Sequence, residues 1–205
     1  MQDNKKNKYY NFKYEPLPRW CSYWYQIHEV LSLQPENVLE IGVGNRIVSE
    51  YLKHSNTAVT TLDIDASLQP DVVASVIAMP VPDKSYSVVL AAEILEHLSF
   101  EDLKKALKEI YRASKDYAVI SLPDCRRIIA VSIKLPLFNW MRFVIKIPFS
   151  RQSKTEDAGH FWEIGKKGYS VSRIKKEMRN AEFEILKDYN IVEYPYHHFF
   201  ILKKK

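Results

Sequence analysis

Glu40, Gly42, Gly44 and Asp63 carry the chemistry most legible in this sequence. The run Val38-Leu39-Glu40-Ile41-Gly42-Val43-Gly44-Asn45 stays apolar up to a carboxylate, then turns on two glycines. Further on, Thr61-Leu62-Asp63-Ile64-Asp65 ends a second apolar run in acids. Glycines at such a turn let the backbone approach a ligand closely, with no Cβ in the way. A carboxylate closing the next strand is placed to accept both hydroxyls of a ribose. Together these residues point to an adenosine-containing cofactor.

Two cofactor classes compete for such a site. A dinucleotide fingerprint needs a third glycine at position 47, where this chain has Ile47. A pyrophosphate also wants an anion-friendly loop, whereas Glu40 puts a carboxylate just before the first glycine. That carboxylate suits a cationic ligand, namely the sulfonium and amino group of S-adenosylmethionine.

The elements that must hold these residues alternate. Trp20, Trp24, Ile27 and Leu31 fall on one helical face, which predicts an N-terminal helix over 18–32. Strands follow at 37–42, 58–63, 71–76, 86–91 and 117–122, with helices at 46–54 and around Leu103, Leu107 and Ile110. A helix over 170–180 precedes two β-prone runs, 182–193 and 197–203, joined at Tyr194-Pro195-Tyr196. Strand–helix alternation closed by such a pair predicts an α/β fold, doubly wound on a mostly parallel sheet with an antiparallel last strand. Ligands on such sheets bind at the carboxyl ends of the strands, where both acidic stops lie.

Length and charge bound the partners. The 205 residues suit a single domain over 1–205. The N-terminus lacks the apolar core of a signal peptide, and no uncharged apolar run approaches a membrane span. Cys21 and Cys125 stand apart, which favours reduced thiols and a cytoplasmic setting; no metal spacing is present and no metal is expected. The net charge of +5 is matched by Lys5, Lys6, Lys8, Lys203, Lys204 and Lys205, offset by Asp3, so the body is neutral. Net charge therefore gives no nucleic-acid groove, although basic tails could touch phosphate.

The stretches Val38–Asn45, Leu62–Asp65, Met79-Pro80-Val81-Pro82-Asp83-Lys84-Ser85-Tyr86 and Ala91-Ala92-Glu93-Ile94-Leu95-Glu96-His97-Leu98 resemble the ordered motifs of the class I S-adenosylmethionine-dependent methyltransferases. The last of them is similar to the family's small-molecule branch. The resemblance implies a seven-stranded Rossmann-like sheet and methyl transfer, with Glu40, Gly42, Gly44 and Asp63 at the cofactor and Ser75 and Glu93 beside it. Arg46 stands where the family commonly has a further glycine, and either pairs with the cofactor's carboxylate or obstructs the pocket. Ser75 and Ser87 stand where acids are common.

Methyl transfer needs a base only when the acceptor must lose a proton. On the substrate side, Gly159-His160-Phe161-Trp162-Glu163-Ile164-Gly165 offers His160 as base, Glu163 to orient it and Trp162 as a wall; a loop anchored by its aromatics is the plainer alternative. His97 is either catalytic or a structural hydrogen-bonding group. His197 and His198, adjacent in a strand, face opposite ways and cannot share a metal. Residues 126–158 form an irregular, lid-like insertion, apolar and basic between Arg126 and Lys154. It folds inward over the acceptor site or rests on an anionic membrane, inward being favoured. The function expected is methyl transfer to an unidentified small-molecule or lipid- or glycan-linked acceptor; the alternatives are a non-catalytic binding module and an RNA methyltransferase.

Overall fold

The computed structural model describes residues 15–137, 139–147 and 159–205. Lys5, Lys6 and Lys8, and Phe138, Pro148, Arg151 and Lys154 of the insertion, lie outside the described residues. A helix, α1 (Leu17–Ser32), leads into β1 (Asn37–Ile41), α2 (Ile47–His54), β2 (Ala58–Asp63) and the short β3 (Val72–Val73). Then come β4 (Tyr86–Ala92), α3 (Phe100–Ala113), β5 (Ser114–Pro123), a hairpin of β6 (Ile128–Ile133) and β7 (Met141–Lys146), α4 (Val171–Asn180), β8 (Phe183–Asn190) and β9 (His197–Lys204).

Seven strands form one sheet in the order β3-β2-β1-β4-β5-β9-β8. β9 runs antiparallel to both of its neighbours and the other pairings are parallel, as the sequence pattern predicts. Apolar side chains pack on both faces. Leu103, Ala106, Leu107 and Ile110 give α3 its helical stripe, and burying each leucine or isoleucine contributes about 1.5–3 kcal/mol. Ser99 caps that helix by accepting the N–H of Asp102 at 3.1 Å. β3 is shorter than predicted because its partner β2 ends at Asp63, opposite Val73, and at its start Asp71 pairs through its side chain, accepting both the N–H and the hydroxyl of Thr61.

Three expectations are corrected. The tryptophans of α1 are not its buried face: Trp20 is 43% and Trp24 56% exposed, while Ser22, Gln26, Glu29 and Val30 are buried. Lys203 and Lys204 are not a free tail but part of β9, and the Lys204 ammonium donates to the carbonyls of Tyr111 and Ser114. The described part of the insertion is neither irregular nor folded inward, because β6 and β7 pair antiparallel and Ile129, Ile133, Trp140, Phe143 and Ile145 are exposed.

Candidate functional site

β1, β2 and β4 lie side by side in parallel register, Ile41 facing Leu62 on one flank and Ala91 on the other. Their carboxyl ends therefore open together, at the point where the chain winds away in both directions from β1. A cavity of about 520 Å³ sits there. That is room for a nucleoside joined to an amino acid, within the ordinary size of a ligand cleft.

The glycine turn does two different jobs. Gly42 has φ +85° and donates its N–H to the Leu62 carbonyl at 2.8 Å, extending the ladder. A Cβ there would stand 1.9 Å from Cδ1 of Ile94, so glycine is required by both conformation and space. Gly44 has φ +48° with nothing within 4 Å of a built Cβ, so its backbone faces open cleft.

Asp63 closes β2 at the rim of the cavity. One carboxylate oxygen accepts the N–H of Val43 at 2.9 Å and the other that of Asp65 at 2.8 Å. Each oxygen keeps lone pairs for further donors. Asp65 caps the following turn by accepting from Ser67. Ser75 and the exposed Ile64 line the same rim.

Glu40 forms the floor. It is buried, one carboxylate oxygen accepts no hydrogen bond among the described residues, and burial pushes its pKa up to about 8 against the opposing pull of Ser49 and Arg46. That oxygen lacks a partner, and a cationic group in the cavity would supply one. This donor set fits an S-adenosylmethionine-type ligand.

Arg46 is placed otherwise than expected. It sits in the left-handed region at φ 62° and its guanidinium donates to the carbonyls of Leu68 (2.7 Å) and Gln69. It fastens the α2 start to the 66–69 turn and is not among the residues lining the cavity. The cation that does line it is Arg19, on the cleft-facing side of α1 with Tyr23 and Gln26. Sequence reasoning missed these three; their i, i+4, i+7 polar spacing on a helix rich in aromatics was the available signal. Ser87 lies at the other end of β4, where its N–H and hydroxyl donate to the side chain of Asn37. It is no part of the site.

At the end of the cavity beyond Glu40, carboxylates and imidazoles gather. Glu93, at φ 54°, accepts from the Ser121 hydroxyl at 2.8 Å, and burial pushes its pKa up to about 8. Its other oxygen lies 3.5 Å from Nε2 of His197, whose Nδ1 is 2.7 Å from the Ser22 hydroxyl. Burial, then the nearby Arg19 charge, holds that imidazole down at about 3 and therefore neutral. His197 thus lines the cleft, while His198 faces Asp124 and Asp188 on the other side.

His97 lines the cleft too, and His160 stands edge-on behind it with ring centroids 4.8 Å apart. Nδ1 of His160 is 3.0 Å from Glu163, and its Nε2 is 3.8 Å from the fully buried Glu96. His160 and Glu163 are therefore brought together as predicted but form a layer behind the cavity wall. Trp162 is not a wall: it is fully buried, donates its indole N–H to the Leu98 carbonyl at 3.0 Å and packs against Phe100. It anchors the loop, the plainer of the two expectations.

The profile of the family described as methyltransferase domain matches residues 39–121. Among solved structures, the chain is similar to a SAM-dependent methyltransferase from Archaeoglobus fulgidus (17% identity, covering 95% of this chain and 98% of that one, TM-score 0.63). It is also similar to 1,6-didemethyltoxoflavin-N1-methyltransferase from Burkholderia thailandensis with bound 1,6-didemethyltoxoflavin and S-adenosylhomocysteine (12% identity, 100% and 87% covered, TM-score 0.60). A third is magnesium protoporphyrin IX methyltransferase from Synechocystis PCC 6803 with bound SAM (10% identity, 92% and 81% covered, TM-score 0.62). At such identities these likenesses speak for the fold. No curated protein sequence matches the chain significantly. The profile spans β1 to β5, and the sheet order together with these likenesses shows a Rossmann-like methyltransferase fold.

Proposed function

We propose that this chain is a class I S-adenosylmethionine-dependent methyltransferase, which binds its cofactor in the cleft above β1, β2 and β4 and transfers the methyl group to a small-molecule acceptor. The observation that carries the reading is Glu40, a buried carboxylate with an unpartnered oxygen on the cleft floor beside the glycine turn. Glu40 faces the amino-acid end of the cofactor, Asp63 accepts the ribose hydroxyls, Arg19 pairs with the carboxylate, and Ile64 and Ser75 flank the adenine. The neighbouring structures with bound SAM or S-adenosylhomocysteine support the same assignment.

The cofactor supplies a methyl group on a sulfonium, and in the displacement the carbon–sulfur bond breaks as the acceptor's lone pair forms the new one. What this chain adds is alignment of the two reactants and exclusion of water. Arg19, Tyr23 and Gln26 roof the cleft from α1. His97 stands on the cleft wall at the acceptor end, with His160 packed edge-on against it and Glu163 on His160.

The acceptor is taken as a small molecule because the cavity is enclosed by α1 and the Glu93 loop, and because neighbours of this fold act on small molecules. The exposed apolar face of the β6–β7 hairpin, with Arg126, Arg127 and Lys134 close by in sequence, supports delivery from an anionic lipid surface. Among the described residues no helix is long and apolar enough to cross a membrane. The free thiols Cys21 and Cys125 agree with a cytoplasmic setting. Two experiments test the reading. Calorimetry should show saturable one-to-one binding of S-adenosylhomocysteine, and no heat at millimolar ligand with folded protein would overturn it. Flotation should recover the protein with anionic but not neutral liposomes, and absence from both would remove the lipid delivery.

A further inference from the structure

We propose that Glu96, His97 and His160 form a site for a zinc-class divalent cation at the acceptor end of the cleft. The ligand atoms these three side chains offer all lie within 4.8 Å of one another. Two imidazoles and a carboxylate are the donor set that zinc, manganese and ferrous iron accept with positions left open.

Three independent features support a cation here. The first is Glu96 itself: fully buried, with both oxygens accepting no hydrogen bond among the described residues. A carboxylate left this way is costly unless a charge meets it, and the carboxylates whose charge acts on it, Glu93 and Glu163, have the wrong sign. Lys166 does not relieve it, because that ammonium is spent on Glu163 at 3.3 Å.

The second feature is the orientation of both imidazoles. Nδ1 of His160 lies 3.0 Å from a carboxylate oxygen of Glu163, so in the neutral ring the proton sits on Nδ1 and the lone pair on Nε2, the nitrogen that faces Glu96. Nδ1 of His97 lies 3.2 Å from the Gly159 carbonyl, which again leaves the lone pair on Nε2. Metal-binding histidines are held in this way, by a carboxylate or a backbone carbonyl on the far nitrogen. Finding it at both histidines of one cluster is hard to ascribe to packing.

The third feature is spacing. Bonds of about 2.0–2.1 Å in a tetrahedron place ligand atoms roughly 3.3 Å apart. The Glu96–His160 pair, at 3.8 Å, is nearly there. The remaining pairs lie within 4.8 Å, a gap that a small shift of the exposed His97 side chain closes.

Residue spacing in the sequence gave no metal pattern because His160 joins the cluster from a different loop. That loop is pinned where Phe161 N–H donates to the Glu96 carbonyl at 2.9 Å. In the proposed function such a cation would bind an acceptor oxygen and lower its pKa, easing proton loss before methyl transfer. That consequence rests on the methyltransferase reading; the metal site does not.

The test uses the full chain after dialysis against a chelator, titrated with zinc and with manganese by calorimetry, with thermal shift as a second readout. One saturable equivalent of at least one ion, raising the melting temperature, is expected. His97→Gln and Glu96→Gln should weaken it at least tenfold, and Glu163→Gln by about tenfold through the orientation of His160. The exposed His28→Gln should leave it unchanged. No saturable binding of either ion, or binding unaltered in His97→Gln and Glu96→Gln, overturns the proposal; His97→Gln carries the test if Glu96→Gln does not fold. S-adenosylhomocysteine binding to the metal-free protein is measured in parallel, so failure of the metal site and failure of the cofactor site are read separately.

Discussion

The side chains at the cleft divide by what they already hold. Asp63 accepts two backbone N–H groups and still has capacity for a ribose. Asp63→Asn keeps the shape but loses the charge and half the acceptor capacity, and should weaken S-adenosylhomocysteine binding by about 1.5–3 kcal/mol in calorimetry. Asp65→Asn, which alters a turn cap, should have the smaller effect. Arg19 lines the cleft whereas Arg46 is spent on the 66–69 turn. Arg19→Gln should weaken the cofactor, whereas Arg46→Gln should lower the melting temperature, by losing two carbonyl contacts, with affinity little changed.

Glu40 makes cofactor binding depend on pH. With its pKa pushed up to about 8 by burial, it is mostly protonated at neutral pH, and a cation above it favours the ionised form. The groups facing it are Ser49 and Arg46, with Lys53 and Glu50 further along α2. Binding of S-adenosylmethionine should therefore release protons below pH 8 and tighten as the pH rises, a dependence that flattens in Glu40→Gln. Heats measured in buffers of different ionisation enthalpy read that release directly. The same raised pKa means that Glu40 costs the empty protein stability as the pH climbs from the ordinary glutamate range towards 8.

At the scale of elements, the parallel core was legible and the two covering elements only in part. Glu40, Gly42 and Asp63 announce their strands because a buried strand must end in something polar when it reaches a ligand. The helix α1 was legible but the placing of its face was only half so: Ile27 and Leu31 pack against the core, whereas Trp20 and Trp24 stand outside it. Its inner stripe meets the cleft and the end of β9, so Ser22, Gln26 and Arg19 point in and Trp24 stacks on His28 outside at 4.7 Å. Trp24→Ala should accordingly change stability by no more than about 0.5 kcal/mol, against roughly 1–3 kcal/mol for Val30→Ala. The hairpin escaped because Ile128–Ile133 is apolar on both faces, so it lacks the alternation that marks a half-buried strand.

Where β5, β8 and β9 meet, Asp124 gathers Arg126, His198 and Asn190 around one buried carboxylate. These partners hold its pKa far below the usual aspartate range even though burial opposes them. Its stabilisation is thus present above the unfolded value of about 3.9 and lost as the pH falls towards the folded one. Asp124→Asn should unfold at lower urea than the parent at neutral pH, and the gap should narrow in acid.

For the whole molecule, the parallel sheet sets a fixed floor of Glu40, Asp63 and the glycine turn, and α1 sets the roof. The acceptor end is made by loops that the sheet brings together from distant parts of the chain, so local patterns offered His97, His160 and Glu163 singly but not their meeting with Glu96. Crystals of the full chain grown with S-adenosylhomocysteine test the central claim most directly. Density should place the ribose hydroxyls at Asp63, the amino group above Glu40 and the carboxylate at Arg19. Ligand density anywhere else, or a cleft still empty at saturating ligand, would contradict it.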